Sequence, residues 1–430
     1  MVRSITLPRA VALYLGAVLG AGVLVLPGTT ATRAGPGSLL AWAFVGLLGV
    51  PLALTFAELA RRNPDAGGVA TFARLAFGHP AGATVGWFYF AAGSFGQAIV
   101  ALTGAYYVAA ALDAGIDVTF AIAAAILAAA VAANLRGLRV SGRLQLVLAG
   151  GVGAVLLAAI VTAIPRFDID RLEPFLPHGA DAVATAAVPL FFAFAGWEAI
   201  THLAAEFKDP GRDLVRSSAV TIALVVVLYL GVSFAVVATG TYGTPELDRV
   251  AVAELLGRSL GVGAEQVAAV AAALISLGTA NAFVAATSRL GYALGRDGAL
   301  PARLGRLDGR GVPSPAVIAV GAVGAAGLFI AYVGRLGAED LLVVPSPLVV
   351  ATYVIAMAAA VRLLDGCARF LAGCGLALCL AVIPVLRASA IVPVAVAAAG
   401  LIYLHLRRPT QTRSTLCTYK EQKGERIPPK

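Results

Sequence analysis

Glu198, His202 and Glu206 stand at four-residue steps in an otherwise apolar stretch. On a helix that spacing puts all three on one face. An ionisable side chain inside an apolar span is costly to bury and is by default functional, so a carboxylate followed one turn on by an imidazole could carry a proton. A plainer reading keeps only Glu198 deep, with His202 as its partner and Glu206 at the cytoplasmic surface. A second kind of chemistry needs no side chain. Gly20, Ala21 and Gly22 interrupt the first long apolar stretch, and Phe194, Ala195 and Gly196 interrupt the sixth. A helix unwound at the first break turns free N–H groups and a positive dipole end toward a carboxylate, and one unwound at the second leaves carbonyls for an ammonium. Carboxylate on one break and ammonium on the other describe an α-amino-acid site. Gly16 and Gly20 also form a G-x-x-x-G pair, which taken alone describes two closely packed helices equally well.

The elements that must position these groups are apolar helices. Hydrophobic residues make up 60% of the 430-residue chain and charged residues 13%, with mean hydropathy +0.89, about half the charge of an ordinary soluble domain. At roughly 20 residues per crossing, the pattern predicts twelve spans: 7–33, 38–60, 82–112, 118–134, 143–165, 182–204, 214–240, 264–290, 314–334, 341–362, 369–386 and 390–406. With the N-terminus cytoplasmic, 25 of the 32 Lys and Arg residues fall on the inner side and 7 on the outer. Positive charge is retained inside, so both termini are expected in the cytoplasm. The net charge of +9 then reads as orientation and attraction to membrane lipid, with no nucleic-acid partner.

Smaller features agree. Thr244-Pro245-Glu246-Leu247 reads as the start of a short outer helix capped by Thr244 and stopped near Gly257. Cys367, Cys374, Cys379 and Cys417 show no metal or redox spacing, and no cofactor or metal is expected. The tail 409–430 is polar, aperiodic and expected to be disordered. There is no nucleophile elbow, phosphate loop or room for an output domain, which argues against an enzyme or a sensor. Spans poor in Asn, Gln, Ser and Thr argue against a channel. What remains is a transporter. Without Asp, Lys or Arg at midplane depth, its pocket cannot neutralise a charged side chain, so neutral apolar amino acids are the expected substrates. Nothing in the residues sets the oligomeric state.

Three loops carry a resemblance. Glu206-Phe207-Lys208-Asp209-Pro210-Gly211-Arg212 resembles the E-x-K-x-P-x-R signature of the amino acid-polyamine-organocation superfamily. Ser288 to Pro301 resembles its motif after the eighth helix, and Asn63-Pro64-Asp65-Ala66-Gly67-Gly68 its loop after the second. Ala66 to Phe72 and Gly196 to Lys208 look most like the branch of bacterial exporters of methionine and branched-chain amino acids. The resemblance implies an all-α membrane protein with a LeuT-like five-plus-five inverted repeat and discontinuous helices 1 and 6. The repeats would occupy about 7–165 and 182–362 of a membrane domain 1–408, with two additional helices in 369–406. It further implies alternating access in a bacterial plasma membrane. By the same resemblance, the amides of Ala21 and Gly22 in the Gly20-Ala21-Gly22 break meet the substrate carboxylate. The carbonyls of Val18, Phe192 and Ala195 meet its ammonium. Gly196 belongs to the second break, Phe192 and Phe283 fall at gating positions, and Gly93 and Gln97 face the pocket. Glu198 matches an acidic position used for pH sensing or coupling, with His202 beside it. Residues 143–165 contain no Lys, which departs from members that couple protons there and leaves a facilitated exchanger open.

Overall fold

A computed structural model describes residues 7–62, 68–137, 142–198, 207, 209–261 and 263–406. Among these residues the elements of regular structure longer than a single bridge residue are helices. The first half comprises α1 (Leu7–Val18), α2 (Leu26–Ala34), α3 (Ser38–Arg62), α4 (Gly68–Phe77), α5 (His79–Ala111), α6 (Ile116–Leu135) and α7 (Gly142–Ala163). The second comprises α8 (Gly179–Ala193), α9 (Pro210–Thr239), α10 (Pro245–Arg249), α11 (Ala251–Leu260), α12 (Ala264–Arg296), α13 (Ser314–Gly334), α14 (Ala338–Leu341) and α15 (Pro345–Leu363). Two helices follow, α16 (Gly366–Leu386) and α17 (Ile391–Leu406).

Among the described residues, eight helical stretches are long and apolar enough to cross a bilayer. Two of these, Leu26–Arg62 and Gly366–Leu406, each hold two helices separated by a turn. Helix ends follow local chemistry. Asp209 caps α9 by accepting the Arg212 N–H at 3.3 Å, with Pro210 in the first turn. Thr244 caps α10 in the same way through the Leu247 N–H. The segment begun at Thr244 does not stop at Gly257. It turns at Val250 and continues as α11 to Gly261, whose φ of +83° ends it, because a glycine with positive φ terminates a helix and one with helical φ does not.

The centre of the bundle is the α5–α12 pair. Small residues let these helices approach: a Cβ on Gly104 would come within 2.6 Å of Ser276. The packing also has an internal correspondence. Helix α1 packs on α7 as α8 packs on α15, and α5 on α6 as α12 on α13. Even the short elements obey it, since α4 rests on α5 and α15 while α11 rests on α12 and α7. By contrast α16 and α17 lie on the outside of this arrangement, and Pro393 is the sole residue described as buried in α17.

Candidate functional site between two helix breaks

The first break is open in the structure. Helix α1 ends at Val18, Gly20 is extended at φ −85° and ψ 176°, and a 3-10 turn over Ala21–Leu24 leads into α2. The leading N–H groups of such a turn have no partner within it, and here all four of its residues are buried. The turn sits against α5, α8 and α12. Pro27, in the first turn of α2, lacks the N–H that would otherwise be one more orphan.

The second break is built differently. Helix α8 ends at Ala193, and Phe194 to Glu198 form turns, with Gly196 at φ +122° where an L side chain would be strained. Aromatic rings enclose it. Phe194 lies edge-on to Tyr229 with centroids 4.9 Å apart, Trp42 packs on both, and Tyr14 lies edge-on to Trp197 at 6.0 Å. Residues 199–206 and Lys208 lie outside the described residues, and with them His202 and Glu206.

Tyrosine hydroxyls satisfy the carbonyls that these breaks release. Tyr229, on α9, donates to Val18 O at 3.0 Å and lies 3.3 Å from Ala193 O, so one hydroxyl bridges the two broken helices. Tyr14 donates to Trp197 O at 2.6 Å, and Tyr107 donates to Leu24 O at 2.8 Å. Val18 O also accepts the Gly20 N–H, which fills both its lone pairs. Phe192 O accepts the Ala195 N–H at 3.3 Å. None of these three tyrosines is among the sequence-derived site residues. Their signal was available, since a tyrosine in an apolar span carries a hydroxyl that must find a partner, but the partners are carbonyls of distant segments.

Glu198 is buried, 8% exposed. Its Oε2 accepts the Tyr353 hydroxyl at 2.8 Å and the Gly196 N–H at 3.2 Å. Tyr89 brings its hydroxyl close to the same carboxylate without closing a hydrogen bond of its own. The acid thus holds the second break in shape and stands where α5 and α15 meet it.

A narrow apolar cavity opens beside the first break. Gly22, Leu26, Thr103, Phe192, Leu342 and Glu339 are among its lining residues, and it has room for about one water molecule. Of the sequence-derived site residues it gathers Gly22 and Phe192. Gly93 meets α12 instead, where a Cβ would come within 2.5 Å of the Thr287 hydroxyl. Gln97 is fully buried with its amide donating to Gly93 O, and its Cβ abuts Gly324 on α13. Phe283 is half-buried on α12, away from the cavity lining. Among the described residues no group of His, Cys, Asp and Glu could hold a metal ion.

A bundle of apolar helices, one interrupted between Val18 and Leu26 and another ending in turns at Phe194, suits a membrane carrier, and sequence comparison agrees. The amino acid permease family model matches residues 5–422, so the chain belongs to the amino acid permease family. It is 37% identical over 366 residues to the uncharacterized amino acid permease YecA of Bacillus subtilis, covering 84% of this chain and 85% of that one. It is 28% identical to the L-methionine/branched-chain amino acid exporter YjeH of Escherichia coli, over 88% and 90% of the two chains. The gamma-aminobutyric acid permease of Escherichia coli is 30% identical over 71% of this chain and 68% of its own.

Proposed function

We propose that the protein is a secondary-active carrier of neutral hydrophobic amino acids, methionine, leucine, isoleucine and valine, that exports them from the cytoplasm by alternating access. The observation that carries this reading is the unwound Ala21–Leu24 turn beside a cavity walled by Leu26, Phe192 and Leu342. Backbone N–H groups at the turn suit a carboxylate without any Arg or Lys. The walls suit an apolar side chain, and one methylene more or less there discriminates by only about 1–3 kcal/mol, so several substrates should share the site. The exporter relative supports the direction. Twelve spans with both termini cytoplasmic accord with the basic-residue asymmetry, and the exchange-symmetric packing of α1–α7 with α8–α15 supports a five-plus-five inverted repeat.

Glu198 is the proposed proton-sensitive group, since its carboxylate ties Gly196 in the second break to Tyr353 on α15, and the charge on it biases how those segments pack. His202 is proposed as its neighbour one turn inward. Glu198→Gln should flatten the pH dependence of transport more than His202→Ala does, and an unchanged profile in the Gln variant removes the proton role. The decisive experiment loads liposomes containing the purified protein with labelled amino acids, with and without a pH gradient. Saturable exchange of leucine, isoleucine, valine and methionine is expected. Preference for arginine, lysine or glutamate would overturn the substrate, and net leucine uptake in cells would overturn only the direction.

A further inference from the structure

A second acid touches the cavity, and it belongs to neither break. Glu339, on α14, lines the same cavity as Gly22. Its Oε1 accepts both Nε and Nη2 of Arg249 on α10, at 3.2 and 2.7 Å. The Arg249 guanidinium lies 4.9 Å above the Tyr106 ring, and the Tyr106 hydroxyl accepts the Ala338 N–H at 2.9 Å. A Cβ on Gly337 would collide with both the carboxylate and the guanidinium, so this glycine leaves the space in which the pair forms. The same short segment is fastened to α2. Asp248 accepts the Thr32 hydroxyl at 2.8 Å and the Gly243 N–H at 2.9 Å, and Gly28 sits so close to the Asp248 backbone that a methyl there would strike it. By the orientation proposed above, this assembly closes the outer mouth.

Glu339 is only half used by this closure. Its Oε2 is buried and accepts no hydrogen bond. A buried carboxylate oxygen without a donor is costly and calls for an explanation. The cavity offers it no other partner, because the Thr103 hydroxyl is given to Ile99 O and the remaining walls are apolar. The break carbonyl at Val18 is filled by protein donors. An amino acid whose carboxylate meets the backbone at Gly22 needs a negative group for its ammonium, and on the same cavity Glu339 Oε2 has no donor.

We propose that Glu339 is an ammonium-binding group on the transport path, shared between Arg249 and the amino-acid substrate. With Oε1 on Arg249 the outer mouth is shut. An ammonium group at Oε2 shares that charge and weakens the hold of Arg249, so that opening outward is coupled to the presence of a substrate. The inference rests on the amino-acid transport reading and adds to it the residue that recognises the amino group at the outer end.

The test uses the full chain in liposomes of defined orientation, as wild type, Glu339→Gln and Arg249→Ala, with leucine as substrate and isopentylamine, which is leucine without its carboxylate, as competitor. In Glu339→Gln the outer-side KM should rise about tenfold or more, as expected for losing a charge-assisted hydrogen bond, with the inner-side KM unchanged and outer competition by the amine lost. Arg249→Ala should keep amine competition or strengthen it. If the two variants raise the outer KM alike and the amine still competes in Glu339→Gln, the pair is a latch only and the inference is overturned. Should Glu339→Gln fail to fold, Glu339→Asp, which retracts the charge, takes its place with the same expectations. A second readout does not require transport: Thr103→Cys in a background without native cysteines, labelled by a thiol reagent. Isopentylamine should slow labelling in the otherwise native chain and have no effect beside Glu339→Gln. If the wild type moves no neutral amino acid, the transport reading fails while that protection still upholds the ammonium group, and equal protection in both overturns it.

Discussion

The two helix breaks perform the same geometric task with opposite materials. At the first, Gly20-Ala21-Gly22 supplies almost no side chain, and helical structure resumes at Ala21, two residues intervening after Val18. At the second, Phe194, Trp197 and Glu198 surround the turn with rings and a carboxylate, and Tyr14, Trp42 and Tyr229 pack against them. Irregular backbone at this depth is tolerated only where it is buried in protein or lines a cavity. The buried first break also lines the cavity at Gly22, whereas the second is enclosed by aromatic rings. The difference teaches that small residues mark backbone left available to a ligand, whereas aromatic residues mark backbone held in place by the protein itself.

The sharpest way to break this comparison is at Gly22. A Cβ there would meet Ala193 and the Leu26 side chain at 3.6 Å, ordinary contact distance, so Gly22→Ala should fold and insert normally. It nevertheless puts a methyl where the carboxylate approaches the backbone. Gly22→Ala is expected to lower leucine kcat/KM by about 100-fold, equivalent to about 2.7 kcal/mol, and Gly22→Val to abolish transport. Normal transport by a folded Ala variant would make the first break a packing feature like the second.

Next in size is Tyr229→Phe. It removes the single hydroxyl that bridges Val18 O and Ala193 O and leaves buried carbonyls short of a donor, a loss of about 1–3 kcal/mol. The variant should show a lower Tm in detergent and slower exchange with substrate affinity little changed. A large rise in KM with unaltered Tm would instead put the Tyr229 hydroxyl in contact with substrate.

How much of this was legible beforehand divides along the same line. The apolar spans and both breaks could be read because glycine and apolar runs report on local backbone. The ties could not. Tyr229 and Val18 are separated by 211 positions, and Arg249 and Glu339 by 90, so only packing brings them together. Gln97 is a related case. The resemblance sets it at the pocket, and in the structure its amide donates to Gly93 O four residues earlier, a tie that the sequence does not reveal. The loop carboxylate Asp308 supplies a control for Glu198. Asp308 accepts the Arg310 and Val312 N–H groups and the Ser314 hydroxyl, and these hold its carboxyl down at about 2. Its folded-state value is depressed, so its contribution to stability is complete above the ordinary carboxylate range and disappears as pH falls toward 2. Asp308→Asn should therefore lower Tm at neutral pH, converge with wild type only as pH falls to about 2, and leave the pH profile of transport unchanged. A flattened transport profile in this variant would show that pH sensitivity does not reside at the second break.

The smallest expected effect is at Gly20, and its smallness is informative. Gly20 and Gly22 belong to one break, yet only Gly22 lines the cavity. The extended backbone of Gly20, at φ −85° and ψ 176°, is open to any residue, and the nearest atom to an added Cβ would be Val18 O at 4.0 Å. Neither conformation nor packing demands glycine there. Gly20→Ala should thus leave Tm unchanged or raise it slightly, since alanine restricts the unfolded chain by about 0.4–1 kcal/mol relative to glycine, and transport should stay within about twofold of wild type, a change of less than 0.5 kcal/mol. If that variant folds normally but loses leucine transport as completely as Gly22→Ala, the free space beside Gly20 is also swept by the substrate. The carboxylate site would then extend across both glycines, and the contrast between an open and a filled break would become stronger.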